Sequence, residues 1–228
     1  MEIRNRNSLL VSLFEFDQIP FSRLLHNSSL SHIQNMYEFQ GVEIKQNPNG
    51  QPVVAFHIGV YSDDKGVIKR IELEERRILI EVDGSSNIAD AILDEIKEYF
   101  CKLAACVEEN FLSPVVQSRE SVIGAKMGFH ANNLVHQKLL DFVNNRVVEE
   151  ANMEQGNAIS NFHGVMFRLD YIPTEEKLKD YRITLSRKEF SLGPRDGTSL
   201  DERIFISKAP VDTSTHIQLL EEIEAIYQ

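Results

Sequence analysis

The sequence predicts an α+β protein made of two similar halves, and three observations predict it. Alternating apolar residues separated by Asn- and Gly-containing turns mark successive antiparallel strands. Apolar residues recurring at helical spacing from Ile88 to Phe111 mark one long helix after them. A short phrase, Phe39-Gln40-Gly41-Val42-Glu43-Ile44, returns as Phe162-His163-Gly164-Val165-Met166-Phe167.

Ser8 to Phe16 is apolar on both alternating sets, Leu9, Val11 and Leu13 against Leu10, Phe14 and Phe16, so this strand is expected to be covered on both faces or to join an interface. Pro20 suits a helix start, with about two turns before a break at Asn27-Ser28-Ser29. A strand follows from Tyr37 to Gln46, a reversal at Asn47-Pro48-Asn49-Gly50, and a strand from Pro52 to Tyr61. In the latter, Val54, Phe56, Ile58 and Val60 should share one face, and Ala55, His57, Gly59 and Tyr61 the other. After a turn at Asp63-Asp64-Lys65-Gly66, Val67 to Val82 is either one twisted strand or two that break near Glu74-Glu75. Asp83-Gly84-Ser85-Ser86 then caps the long helix, which should end at Ser113-Pro114.

The second half repeats this order. Ser121 to Phe129 stands in the place of Ser8 to Phe16, and a helix with Val135, Leu139, Phe142 and Val143 on one face follows. Strands are expected over Phe162 to Ile172, Tyr181 to Phe190 and Arg203 to Ser207, with a loop at Gly193 to Gly197 before the last strand. A final helix carries Ile217, Leu220, Ile223 and Tyr227. Matching positions lie 113 apart at Ser8 and Ser121, 123 at Gly41 and Gly164, 126 at Ile78 and Ile204, and 127 at Ile92 and Leu219. An offset growing in one direction is what insertions in a second copy leave. The predicted fold is therefore two β-α-β-β-β(-β)-α units, 1–113 and 114–228, forming one compact α+β unit. Its antiparallel sheet has both long helices on one face about a pseudo-two-fold axis. Gly41 and Gly164 should serve close backbone packing or a bulge at equivalent strand starts.

This order resembles the duplicated saddle-shaped fold of the TATA-binding protein. In that family the sheet face opposite the helices binds the DNA minor groove with basic side chains and inserted phenylalanines. Here the corresponding face is expected to show Leu10, Phe14, His57, Tyr61, Leu79 and Glu81 from the first half. The second half should add Met166, Arg168, Asp170, Thr184, Ser186 and Phe205. That mixture lacks the basic density DNA demands, so the resemblance implies the fold and not the function. The strand-and-helix order also resembles uncharacterised, sporadically distributed bacterial proteins, which brings no activity.

Composition narrows the classes further. A chain of 228 residues with 42% hydrophobic content can bury one large core or two fused smaller ones. The net charge of −11 is shared between the halves, which disfavours nucleic acid as a partner. No run is long and apolar enough for a membrane span, and Met1 to Asn7 lacks the pattern of a signal peptide, so a cytoplasmic location is expected. Cys101 and Cys106 lie five apart on one expected helix and point to different sides.

Short catalytic and metal-binding motifs are absent from the sequence, and neither a cofactor nor a metal is expected. His26 and His32, like His130 and His136, are six apart, the wrong spacing for a helical ligand pair. A convergent set of His57, Tyr61, Glu81, Arg168 and Asp170 would supply an acid or base and an anion-binding arginine. Ordinary cross-strand pairing explains the same residues more simply. The expectation is a noncatalytic protein that binds a protein partner, or a second copy of itself as a dimer, through an open sheet face or edge. Exposed Leu10, Phe14, Leu79, Met166 and Phe205 are expected to form the apolar patch. The alternative is a small-molecule binder or enzyme with a cavity between sheet and helices.

Overall fold

The computed structural model describes residues 1–62, 66–104, 112–143, 145, 162–170 and 188–227. These form nine strands of antiparallel sheet and five helices, a mixed α+β protein. The strands are β1 (Glu2–Leu13), β2 (Gly41–Gln46), β3 (Pro52–Tyr61), β4 (Gly66–Leu73), β5 (Arg77–Asp83), β6 (Val116–Lys126), β7 (Val165–Leu169), β8 (Lys188–Pro194) and β9 (Ile204–Ala209). The helices are α1 (Phe21–Leu24), α2 (Asn27–Met36), α3 (Ser86–Ala104), α4 (Gln137–Phe142) and α5 (Thr213–Tyr227).

Two compact units divide the chain, one of Arg6–Ser121 with Val211–Ser214, the other of Met1–Asn5, Val122–Pro210 and Thr215–Gln228. β1 and β6 contribute residues to both. In the first unit the strand order is β2-β3-β4-β5-β1-β6; in the second it is β1-β6-β9-β8-β7.

The core of the first unit joins Leu10 and Phe14 of the β1 stretch, Phe56 of β3, Ile68 and Ile71 of β4, and Ile78, Ile80 and Val82 of β5 to Ile33 of α2 and to Ile92, Ile96 and Phe100 of α3. Each such side chain contributes about 1.5–3 kcal/mol by leaving water. Leu10 lies opposite Ile80, and Val11 opposite Leu79. Facing partners in a ladder project to the same side, so Leu10 points toward the helices and Leu9, Val11 and Leu13 point away.

Several expectations need correction. Asn27-Ser28-Ser29 does not end a helix: His26, with extended φ −72° and ψ 139°, stands before it, and these residues begin α2. β2 starts at Gly41, because Tyr37 and Gln40 bond across to β3 outside the regular ladder. The 67–82 segment, by contrast, follows the second of its two expected alternatives and breaks near Glu74-Glu75 into β4 and β5, where Glu74 donates its N–H to the Arg77 carbonyl at 2.8 Å. The expected turn residues Asp63, Asp64 and Lys65, the helix residues Cys106, Val107 and Phe111, and Thr184 and Ser186 lie outside the described residues.

In the second unit, Phe129 of the β6–α4 connection and Phe205 of β9 meet at 5.1 Å between ring centroids, in a cluster with Ile123, Met127, Leu192 and Leu220. Gly164 has φ +121°, and a Cβ there would stand 2.5 Å from the Leu192 carbonyl, so only glycine fits. Gly41 has no such constraint: a Cβ would only touch that of His57, at 4.0 Å. The two glycines of the repeated phrase thus do different work.

Candidate functional site

The face of β2-β3-β4-β5-β1 turned away from α3 is built in rows by the strand registers. Gly41, His57, Arg70, Glu81 and Leu9 form one row, and Glu43, Ala55, Glu72, Leu79 and Val11 the next. Glu72 sits in the middle with its carboxylate nearly buried, an uncommon place for a lone charge. Lys45 reaches it from β2 at 2.7 Å, Arg70 at 3.3 Å along the same strand, and Arg77 from β5 at 3.2 Å. Burial pushes the Glu72 carboxyl up, but the Lys45 hydrogen bond and the charges of Arg70, Lys45 and Arg77 outweigh it, holding it below the usual glutamate range.

The network extends outward. Arg70 also pairs with Glu81 at 3.2 Å, and Arg77 with Glu74. His57 contacts Glu43 at 3.1 Å. Val53, Ala55 and Leu79 on this face are buried. Each formal charge here has an opposite one beside it, so the face presents balanced polarity rather than a basic strip.

Beyond this network the same strands expose apolar residues. Val60 and Val67 are directly paired across β3 and β4 and are 45% and 46% exposed. Ile58, beside them on β3, is 51% exposed; Ile44 on β2 is 56% exposed but lies opposite Val54 and so points to the other side of the sheet. Ile58 has φ +52°, a left-handed conformation that a β-branched side chain rarely adopts. Its carbonyl accepts the Gln40 N–H at 3.0 Å, and Val60 donates its N–H to the Tyr37 carbonyl at 2.8 Å. The ladder opposite is irregular too, with a shift between Ile68 and Arg70. This bulge resets the alternation.

Consequently Gly59 turns inward, where a Cβ would meet the Phe39 ring at 2.6 Å, and Tyr61 turns inward after it. The expected grouping of Ile58 and Val60 with Val54 and Phe56, and of Tyr61 with His57, therefore fails at the bulge. Tyr61 donates to Glu95 of α3 at 3.2 Å, and Tyr37 donates to the other oxygen of that carboxylate at 2.8 Å. Burial first, and then Glu95, holds both phenols above their ordinary values.

The expected site residues separate accordingly. His57, Leu79 and Glu81 come together on the face away from α3. Leu10 and Phe14 are buried in the core on the helix side, Phe205 is buried in the second unit's core, and Leu79 is buried in the same sheet. The expected patch of five exposed apolar residues is thus overturned for four of them. Period-2 alternation places Leu10 opposite in direction to Leu9 but does not say which set the helices cover. Met166, Arg168 and Asp170 are exposed on or just after β7 of the second unit. Lys45, Arg70 and Glu72 were not singled out; the signal was an isolated glutamate near the end of β4, and Arg77, which the run Glu74-Glu75-Arg76-Arg77 suggests for an exposed strand edge, instead opens β5 between β4 and β1.

No catalytic arrangement emerges at the histidines. His216 and Ser207 are buried in the second unit, Nε2 to Oγ 2.9 Å, and Ser207 donates its hydroxyl proton to the Ser191 carbonyl at 2.8 Å. The serine oxygen therefore accepts from the imidazole, the reverse of nucleophile activation. His130 and His136 accept backbone N–H groups through Nδ1 at the starts of short helical turns. Among the described residues, no group of three or more His, Cys, Asp or Glu is placed to hold a metal ion. No protein-family model matches the chain, and no curated protein matches it.

Proposed function

We propose that the chain is a noncatalytic interaction protein that takes a protein partner on the exposed β3-β4 face, or along the adjoining β2 edge, of the Arg6–Ser121 unit. The observation that carries this is the cluster of exposed Ile58, Val60 and Val67 on the paired strands β3 and β4. Isolated exposed apolar residues need no explanation, but three on paired strands beside a balanced charge network fit a protein interface. The balanced charge favours protein over nucleic acid. A second copy of the chain is the partner to test first. Light scattering across a concentration series should show self-association that Val60→Asp weakens; a constant monomer mass at every concentration would count against the reading.

The same proposal treats the chain as an internal duplication. Outward from β1 the order is β5-β4-β3-β2, and outward from β6 it is β9-β8-β7. Ser86 opens α3 and Thr213 opens α5, 127 residues apart, the same offset that relates Ile92 to Leu219. These correspondences support the resemblance to the duplicated TATA-binding-protein fold at the level of element order.

A further inference from the structure

Among the described residues β2 ends the strand order of its unit, and its outer edge is complementary to itself. Asn47 donates its N–H to the Gln51 carbonyl at 2.9 Å, which makes them a hydrogen-bonded pair at the hairpin mouth. Antiparallel ladders alternate, so Lys45, Glu43 and Gly41 direct their N–H and C=O toward β3, while Val42, Ile44 and Gln46 direct theirs outward. Pro52, with no N–H to give, stands opposite Gln46, where the ladder asks for none.

We infer that a second copy of this chain pairs antiparallel along β2, about a two-fold axis at Ile44. The charges decide the register. With the axis there, Glu43 of each copy faces Lys45 of the other, Ile44 faces Ile44, and Val42 faces Gln46. The outward backbone groups of all three outward residues then meet partners. The Glu43 and Lys45 pairs fall at the positions where ladder side chains approach most closely. Sliding two residues either way sets Glu43 against Glu43 or Lys45 against Lys45. A lysine alone on an edge strand discourages pairing; a glutamate two residues before it selects one register out of several. Both side chains are accessible, with 54% of Glu43 and 43% of Lys45 exposed, and Ile44 would leave water against its own copy. A six-residue edge makes a weak, concentration-dependent dimer.

This inference rests on the interaction reading above and names its partner and edge. Charge exchange tests it. Glu43→Lys and Lys45→Glu should each raise the dimer dissociation constant about tenfold, because each sets like charges opposite one another twice. An equimolar mixture of the two variants should form the heterodimer, in which both pairs are opposite in sign. The E43K/K45E double variant should dimerise as the wild type does. Circular dichroism and thermal melts establish that each variant is folded, and Glu43→Lys leaves the Lys45–Glu72 contact in place if Lys45→Glu proves unstable. A wild type that self-associates while Glu43→Lys changes nothing overturns the β2 pairing and leaves the broader reading standing. A wild type that stays monomeric at millimolar concentration overturns both.

Discussion

Ser86 and Thr213 exchange hydrogen bonds across the starts of two helices: the Ser86 N–H donates to Thr213 Oγ1 at 2.9 Å, and the Thr213 N–H donates to Ser86 Oγ at 3.1 Å. Each hydroxyl thereby satisfies a backbone donor that the first turn of the other helix leaves unpaired. Thr213 Oγ1 also lies 2.9 Å from Ser8 Oγ, which donates to the Gly84 carbonyl at 2.9 Å. Donor count then orients the chain of bonds, with Thr213 donating to Ser8 and Ser8 to Gly84.

Because all three side chains are buried, their loss is not made good by water. Thr213→Val keeps the shape but strands the Ser86 N–H and removes the donor to Ser8. It should lower unfolding free energy by about 2–3 kcal/mol in urea denaturation. Thr213→Ser keeps both bonds and should cost less than about 1 kcal/mol. A double-mutant cycle with Ser8→Ala should show coupling, since the two hydroxyls share one network.

The elements were legible where one physical signal dominated. α3 announced itself through apolar spacing, and the β2–β3 hairpin through Asn47 to Gly50. The faces were less legible, for two reasons visible in particular residues. The β1 stretch is apolar on both sides, so Leu10 and Phe14 gave no local sign that α1 to α3 would cover them rather than Leu9 and Val11. Ile58 carries no glycine or asparagine to advertise a left-handed backbone, yet its bulge reversed the direction of Gly59, Val60 and Tyr61. The charge network was hidden because cross-strand partners such as Lys45 and Glu72 are distant in sequence and meet only once two registers are fixed.

Two buried groups should give acid sensitivity. Burial depresses His216 from an ordinary value of 6.5 to about 4, so the unfolded chain binds a proton there before the folded one does. Its contribution is complete above pH 6.5 and is lost progressively as pH falls through about 4, on the order of 3 kcal/mol in all. Glu72, held below the usual glutamate range, keeps its contribution above pH 4.5 and loses it as pH falls further and its carboxylate is protonated. Urea midpoints should fall as pH is lowered from 6.5. His216→Gln should flatten the fall between pH 6.5 and 4.5, and Glu72→Gln should reduce the fall below pH 4.5; a slope above pH 4.5 unchanged by His216→Gln would show that this histidine is accessible to protons when folded.

Ile58 allows the fold and the proposed surface to be tested against each other. A left-handed conformation costs a β-branched residue about 1–3 kcal/mol, whereas glycine adopts it freely and loses about 1 kcal/mol through the greater freedom of its unfolded chain. The side chain is half exposed, so its removal forfeits little core contact. Ile58→Gly should therefore raise stability by about 1 kcal/mol, while Ile58→Ala, still strained at φ +52°, should not. If the exposed isoleucine serves a partner, the stabilised glycine variant should associate more weakly than the wild type. Opposite signs in denaturation and light scattering would mean that the strain is retained for the contact it presents; a gain in stability with association unchanged would assign the bulge to the fold alone.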